Sequence, residues 1–137
     1  IHCHSISATG ISALRIGIPA FHYMVPALGG ADIRCAGYAI YGSAELAAEA
    51  VRALEGRTAC LLANHGVVAC GADPEDAFEA AVMVEALAAQ YCAARLLGDP
   101  VLLSAQEVDE LIAGFAAYRA TVSALRVAPG PPELLGS

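Results

Sequence analysis

Hydrophobic positions change their spacing along the chain, from short apolar runs to helical periods, and this predicts strands interleaved with helices. Two short apolar runs, 58–64 and 67–71, lie on either side of His65 and predict buried strands joined by a tight turn. The alanine-rich stretch 43–55 starts on a serine and stops before a glycine, which predicts a helix. The combination is typical of the α/β class.

Two long helices are predicted in the C-terminal half. The first runs over 74–97, where Asp73 can cap the first turn and Pro74 suits the first helical position. A Gly-Asp-Pro sequence then stops it. The second helix begins at Ser104, which forms a capping-box pattern with Glu107.

The N-terminal part has a weaker pattern. Residues 1–4 read as extended, and Ser5 is a candidate N-cap for a short helix that reaches about Ile16. Residues 19–34 contain two prolines and a pair of glycines, which predicts a long ordered loop. Residues 33–42 predict a short strand followed by a turn.

Length and composition indicate one packed domain. The chain has 137 residues, of which 58% are hydrophobic and 15% are charged, enough apolar surface for a core. We expect the domain to span residues 1–126 and the Pro/Gly-rich residues 127–137 to form a flexible tail. Charged residues, glycine or proline interrupt every apolar run before membrane-spanning length, so no membrane association is expected.

Charge, lysine content and cysteine content exclude several classes of function. The formal net charge is −7 and no basic cluster occurs, which argues against a nucleic-acid partner. The chain has no lysine, so its own residues offer no amine for Schiff-base catalysis. Five cysteines without a Cys-x-x-Cys pair disfavour a disulfide framework, and we expect a reducing, cytoplasmic location. The simplest interpretation of all five is as small buried apolar residues.

Histidines are the candidate metal ligands. In a strand, residues two apart point to the same face, so His2 and His4 converge if residues 1–4 are extended. With a third histidine at a strand end they would make the three-imidazole site that zinc uses when it keeps one position open. Ordinary core or surface histidines are the alternative that spacing alone leaves open.

Three motifs in order resemble the class II aldolase and adducin family. They are HCHSISATGISALRIGIPAFHYMVPALGG, CAGYAIYG and LLANHGVVACG, and the resemblance extends to about Tyr118, most strongly to the branch that cleaves fuculose phosphate. It implies a three-layer α/β fold, of which this chain is the C-terminal part with two long terminal helices. It also implies that His2, His4 and His65 bind zinc, although imidazole suits other divalent transition metals as well.

The resemblance assigns roles to three tyrosines. Tyr23 is implied to be the catalytic proton donor, acting in the site of a neighbouring subunit, so a homotetramer is implied. Tyr118 and Tyr41 match positions that approach the substrate, although helix packing is an alternative for Tyr118. His22 matches a family histidine that is not a ligand.

The implied reaction is metal-dependent aldol cleavage of a ketose 1-phosphate, similar to L-fuculose 1-phosphate, to dihydroxyacetone phosphate and a small aldehyde. A sugar-phosphate epimerase, decarboxylase or dehydratase, a noncatalytic adducin-like module and a truncated product remain alternatives. The family's base glutamate and its phosphate-binding loops precede the His-x-His pair and have no counterpart here. We therefore expect a missing N-terminal portion and no turnover by these 137 residues alone.

The metal hypothesis makes a geometric prediction. Ligands of one ion lie about 2 Å from it, so the ring of His65 must lie within roughly 7 Å of the rings of His2 and His4.

Overall fold

The structure, a computed structural model, describes the backbone of residues 1–127 and the side chains of residues 1–122. It contains six short strands and four α-helices in these described residues. The strands are β1 (His2–Cys3), β2 (Ile18–Pro19), β3 (Asp32–Ile33), β4 (Cys35–Ala36), β5 (Ala59–Leu62) and β6 (Gly66–Ala69). The helices are α1 (Ile6–Ala13), α2 (Ala44–Leu54), α3 (Pro74–Leu97) and α4 (Ala105–Val127).

A four-stranded sheet in the order β1-β6-β5-β4 forms the centre of the fold. Strands β5 and β6 are the antiparallel pair predicted from the two apolar runs, and β1 pairs antiparallel with β6. Strand β4 pairs parallel with β5. Because β1 pairs with β6, the N-terminal histidines lie beside the turn that carries His65.

Helices cover both faces of this sheet. Leu61 and Val67 point into the larger core, which α1 and α3 close. Cys60 and Leu62 point the other way and pack under α2. This alternation follows from the period of two in a strand, and it confirms the predicted α/β architecture of helices on both sides of a sheet.

The N-terminal predictions need two corrections. Helix α1 ends at Ala13, not near Ile16, because Arg15 has a left-handed backbone with φ of 56° that no helix can continue. The predicted loop over 19–34 contains regular structure, namely a β2–β3 ribbon and a short 3-10 helix at Val25–Leu28. Glycine and proline marked the turns, but the two-residue strands were too short to show a period.

The C-terminal predictions are confirmed. Helix α3 has the predicted bounds, and the Asp73 side chain accepts a hydrogen bond from the Asp76 backbone N–H. At α4, the Ser104 hydroxyl oxygen accepts from the Glu107 backbone N–H, and the Glu107 carboxylate accepts from the Ser104 backbone N–H, as a capping box requires. The tail prediction lies outside the described residues, apart from Val127, where α4 ends.

By length and composition alone, α3 could cross a membrane, in contrast to the expectation from the interrupted apolar runs. Core helices of water-soluble domains pass the same test. The inner side of α3 contributes Val84 and Leu87 to the core that α1 shares, and Glu85 contacts the backbone of α1. These contacts account for the apolar residues on the inner side of α3, and one third of its apolar window is buried.

The cysteines follow the prediction only in part. None is paired in a disulfide, and all five lie within the described residues. Cys60 is buried as expected, and Cys3 packs against the larger core. Cys70 and Cys92 are exposed, so the interpretation of all five as small buried apolar residues was wrong for these two.

Candidate metal centre

The structure brings His2, His4 and His65 into one cluster. Ring centroids lie 4.8 Å apart for His2 and His4, 4.8 Å for His2 and His65, and 5.1 Å for His4 and His65. All three distances satisfy the predicted limit of roughly 7 Å. The geometric prediction is therefore confirmed, whereas the role of these histidines as ligands stays a prediction.

Strand pairing explains why the cluster forms. His2 lies opposite Val68 in the β1–β6 ladder, and His4 follows β1 on the same side two residues later. His65 is the last residue of the turn between β5 and β6. Three imidazoles therefore meet at the edge of the sheet where β1 ends and β6 begins.

The ring of His2 has a fixed tautomer. Its Nδ1 lies 2.8 Å from the backbone carbonyl oxygen of Val67. Because a carbonyl only accepts, Nδ1–H is the donor, and Nε2 keeps its lone pair free for a metal. A backbone carbonyl that orients a metal-binding histidine in this way is common around zinc.

The protonation of His65 also suits a metal. Burial lowers its pKa from the ordinary value, and the neighbouring rings of His2 and His4 lower it further. A neutral imidazole is the form that coordinates a metal ion. The lowered pKa thus favours a neutral nitrogen donor at His65, where a charged ring would repel a cation.

The three side chains fit a divalent transition metal. Their candidate ligand atoms lie within 4.8 Å of one another, and tetrahedral ligands about 2.0 to 2.1 Å from zinc are about 3.3 Å apart. Binding of one ion would therefore bring these atoms closer together by up to about 1.5 Å. Three imidazoles leave the metal its full positive charge and a fourth position for another group.

A cleft of about 200 Å³ adjoins His65. Its other walls are Tyr38, Ile40, Tyr41 and Asn64, with Ala39 between the first two. Tyr41 therefore shares this cleft with His65 and is 80% exposed, whereas its role in contacting a substrate stays a prediction. Tyr38 was not among the predicted site residues, although the aromatic pair in CAGYAIYG was visible in the sequence.

Tyr23 and Tyr118 are not brought to the histidines. Neither residue lines the two clefts that include His65, and both side chains are exposed. Tyr23 instead stacks on Phe115 of α4, with ring centroids 6.4 Å apart. Because Phe115 and Tyr118 are three residues apart on a helix, both predicted tyrosines belong to the same region of the surface.

His22 is outside the cluster, in agreement with its prediction as a non-ligand. Its Nδ1 accepts a hydrogen bond from the Met24 backbone N–H at 3.2 Å. The ring also lies beside Tyr23, at a centroid distance of 4.8 Å. His22 thus has the local packing role that a loop histidine commonly has.

Two contacts that support the cluster were not predicted. The Glu85 carboxylate accepts hydrogen bonds from the backbone N–H groups of Ser7 and Ala8, at 2.8 and 2.9 Å, just after His4. Arg15 donates to Asn64, the residue before His65, at 2.7 Å. Both contacts join residues far apart in sequence, so no local sequence pattern predicts them.

Comparison with known proteins identifies related sequences. A family model described as the class II aldolase and adducin N-terminal domain matches residues 1–92. A 5-methylthioribulose-1-phosphate/5-deoxyribulose-1-phosphate aldolase of Rhodospirillum rubrum is 44% identical over 86% of this chain, which covers 53% of that protein. An L-fuculose phosphate aldolase of Escherichia coli K12 is 40% identical over 86% of this chain and 55% of its own length.

Solved structures give the same result. The chain superimposes on an L-fuculose 1-phosphate aldolase with a TM-score of 0.80 and 43% sequence identity. The match covers 84% of this chain and 54% of that one. The chain thus spans about half the length of the relatives that it matches.

Proposed function

The chain belongs to the class II aldolase and adducin family, and we propose that it forms the metal-binding half of an enzyme that cleaves a phosphorylated ketose by an aldol reaction. The convergence of three histidine rings at the end of β1 is the observation that carries this proposal. An inert scaffold has no need for three imidazoles at this distance. Aldolase names among its relatives supply the reaction class.

The metal would be held by His2, His4 and His65. Zinc is the proposed ion, because three imidazoles with an open position are typical of catalytic zinc. When bound, it supplies Lewis-acid stabilisation of the negative charge that carbon–carbon cleavage leaves on the substrate oxygens. The Val67 carbonyl accepts from the Nδ1–H of His2, and partial burial lowers the pKa of His65, which favours its neutral form.

The proposed substrate is a ketose 1-phosphate. The cleft beside His65 would receive the aldehyde part, since Tyr38, Ile40 and Tyr41 offer it an aromatic and aliphatic wall. L-fuculose 1-phosphate is one candidate, by similarity to the Escherichia coli aldolase. A 5-deoxyribulose 1-phosphate is the second, because the Rhodospirillum rubrum relative with that name is 44% identical.

Tyr23 is the proposed proton donor, acting from a neighbouring subunit. Within one chain it lies on the Phe115 side of the molecule and lines neither cleft beside His65. An open apolar groove lies beside its neighbour His22, with Phe78, Val82 and Met83 of α3 in its wall. We propose that another copy covers this surface in a homotetramer, which would bring Tyr23 to that copy's histidines.

The free cysteines support a cytoplasmic location for this protein. All five cysteines are free thiols, including the exposed Cys70 and Cys92. Thiols of this kind persist where glutathione and thioredoxin keep the compartment reducing. We propose the cytoplasm as the location on this ground.

Metal analysis tests the proposed centre directly. After reconstitution with zinc and gel filtration, we expect about one zinc ion per chain. His65→Ala should lose the metal, and His22→Ala, a control outside the cluster, should keep it. Less than about one-tenth of an equivalent in the parent chain would refute the centre and favour a noncatalytic module.

A chimaera tests the reaction. Because the relatives are about twice as long, the N-terminal half of the Rhodospirillum rubrum aldolase can be joined to this chain at Ile1. We expect zinc-dependent release of dihydroxyacetone phosphate from L-fuculose 1-phosphate or 5-deoxyribulose 1-phosphate, and loss of release in His65→Ala. A chimaera that binds zinc and epimerises or decarboxylates sugar phosphates, without aldol cleavage, would contradict the aldolase proposal.

A further inference from the structure

Two non-glycine residues with a left-handed backbone contact each other beside the metal centre. Among the described residues, only Arg15, with φ of 56°, and Asn64, with φ of 54°, combine a side chain with this conformation. The Arg15 Nε–H donates to the Asn64 Oδ1 at 2.7 Å. A left-handed backbone is unfavourable for a residue with a β-carbon, although less so for asparagine, and it persists where surrounding contacts determine it.

Asn64 ties the turn before His65 to the C-terminal end of α1. Its backbone N–H donates to the Ser12 carbonyl at 3.0 Å, and its side-chain amide lies 3.4 Å from the Ala13 carbonyl. The last carbonyls of a helix have no partner within the helix, so they are ready acceptors. With the bond from Arg15, three hydrogen bonds fix the residue that precedes His65.

Arg15 also reaches the wall of the adjoining cleft. Its guanidinium carbon lies 5.3 Å from the centroid of the Tyr38 ring, within the range of a cation–π contact. Tyr38 lines the same cleft as Asn64 and His65. One side chain therefore contacts both the turn that carries His65 and the loop that faces it.

The His65 ring depends on this turn for its orientation. The His2 ring is held by the Val67 carbonyl, whereas no hydrogen bond to the His65 ring is found among the described residues. Where the ring has no such partner, the backbone that carries it decides where its nitrogen points. That backbone is held by the contacts of Asn64 and by the bond from the His65 N–H to the Leu62 carbonyl at 3.0 Å.

We propose that Arg15 and Asn64 are a positioning pair, which fixes the turn before His65 against the end of α1 and so sets the affinity and geometry of the metal centre. This inference rests on the proposed metal centre. It assigns neither residue to the metal or to the reacting atoms. The pair acts through His65.

Cobalt binding to the chain tests the pair, because the visible spectrum of Co²⁺ reports ligand geometry without turnover. Arg15→Ala removes the contact but keeps a β-carbon, so the left-handed strain at this position is unchanged. We expect the Kd for Co²⁺ to rise about tenfold, as is common when an outer partner of a metal ligand is lost. The tetrahedral absorption should also weaken.

Matched variants separate positioning from general stability. Arg95→Ala removes another exposed arginine, paired with Asp99, and should leave the Kd and the spectrum unchanged. Asn64→Asp keeps the acceptor for Arg15 but loses the amide donor to the Ala13 carbonyl, so its Kd for Co²⁺ should lie between those of the parent and Arg15→Ala. Asn64→Gly loses the side chain without added backbone strain and should resemble Arg15→Ala.

Each outcome is decisive. If the parent chain binds Co²⁺ while Arg15→Ala and Asn64→Gly match it in Kd and spectrum, the positioning pair is refuted and the metal centre stands. The same holds if these variants only lower the unfolding temperature. If the parent itself fails to bind Co²⁺, the proposed centre fails, and the pair fails with it.

Discussion

Gly66 lies in direct contact with the backbone of Cys3. A β-carbon at position 66 would stand 2.4 Å from the Cys3 carbonyl oxygen and 2.7 Å from the Cδ2 atom of His4. Both distances are shorter than any real contact of a β-carbon. The absence of a side chain is therefore what allows β6 to approach β1 beside the histidine cluster.

Gly66→Ala should disrupt both the proposed metal centre and the β1–β6 pairing. The added methyl group collides with the Cys3 carbonyl oxygen, which only a backbone shift relieves, and with the His4 ring. We expect zinc affinity to fall by about tenfold or more, a loss similar to that of an outer contact, measured by competition with a chromogenic chelator. Gly10→Ala, in α1 with open space around its Cα, is the control and should bind zinc normally.

Glu85 replaces the expected serine cap of α1. The Ser5 side chain makes no capping hydrogen bond, and the first free N–H groups of the helix donate to the Glu85 carboxylate instead. Burial alone would raise the pKa of Glu85, but the bonds from Ala8 and Ser7 outweigh it and hold the pKa below its usual value. The charged form is thus the one that stabilises the fold.

Glu85→Gln should therefore lower stability in a pH-dependent way. We expect a loss of about 1 to 3 kcal/mol at neutral pH, since a charge-assisted cap is weakened. Because the pKa is lowered in the folded state, the stabilisation is fully present above about pH 5 and is lost as the pH falls through the folded-state pKa. Urea unfolding of the parent and of Glu85→Gln, at pH 7 and at pH 4, measures the difference in their free energy of unfolding at each pH.

A difference between parent and Glu85→Gln that does not shrink on acidification would contradict this account of the cap. Glu79→Gln is a suitable control, because Glu79 is also on α3 and its side chain lines an open groove. It should change stability little at either pH.

Zinc should stabilise the folded chain. A ligand that binds only the folded state adds about 2.7 kcal/mol to the free energy of unfolding at a free concentration of a hundred times its Kd. We expect the unfolding temperature to rise with zinc and to return to its metal-free value with a chelator, as followed by circular dichroism. The rise should vanish in His2→Ala, and a rise that persists there would place the zinc elsewhere.

Local sequence patterns were sufficient to predict the start of a helix when its capping residue is close to it in sequence. Asp73 with Pro74 fixed the start of α3, and Ser104 with Glu107 that of α4, because each cap lies within four residues of the groups that it binds. Helix α1 was different. Its cap, Glu85, is 77 residues from Ala8, and a contact of that separation depends on how α3 packs.

The residues of the candidate site also differ in whether local sequence patterns predict their position. A period of two was enough to predict that His2 and His4 share a face, whereas His65 joined them only through the family resemblance. The register that pairs His2 with Val68 explains the result, and strand order was not readable from the chain. Tyr23 was predicted to act in a neighbouring subunit, and a single chain leaves that prediction untested.

Tyr23→Phe tests that prediction in the zinc-loaded chimaera. The variant keeps the ring that stacks on Phe115 and removes only the hydroxyl, so fold and assembly should be unchanged. Loss of a general acid lowers turnover by about a hundredfold or more, while the zinc content should stay at its parent value. Tyr91→Phe is the control, because Tyr91 is buried against Phe21 in the core. Unchanged release of dihydroxyacetone phosphate by Tyr23→Phe would remove Tyr23 from the reaction, because the hydroxyl is the only group of the tyrosine side chain that can donate a proton.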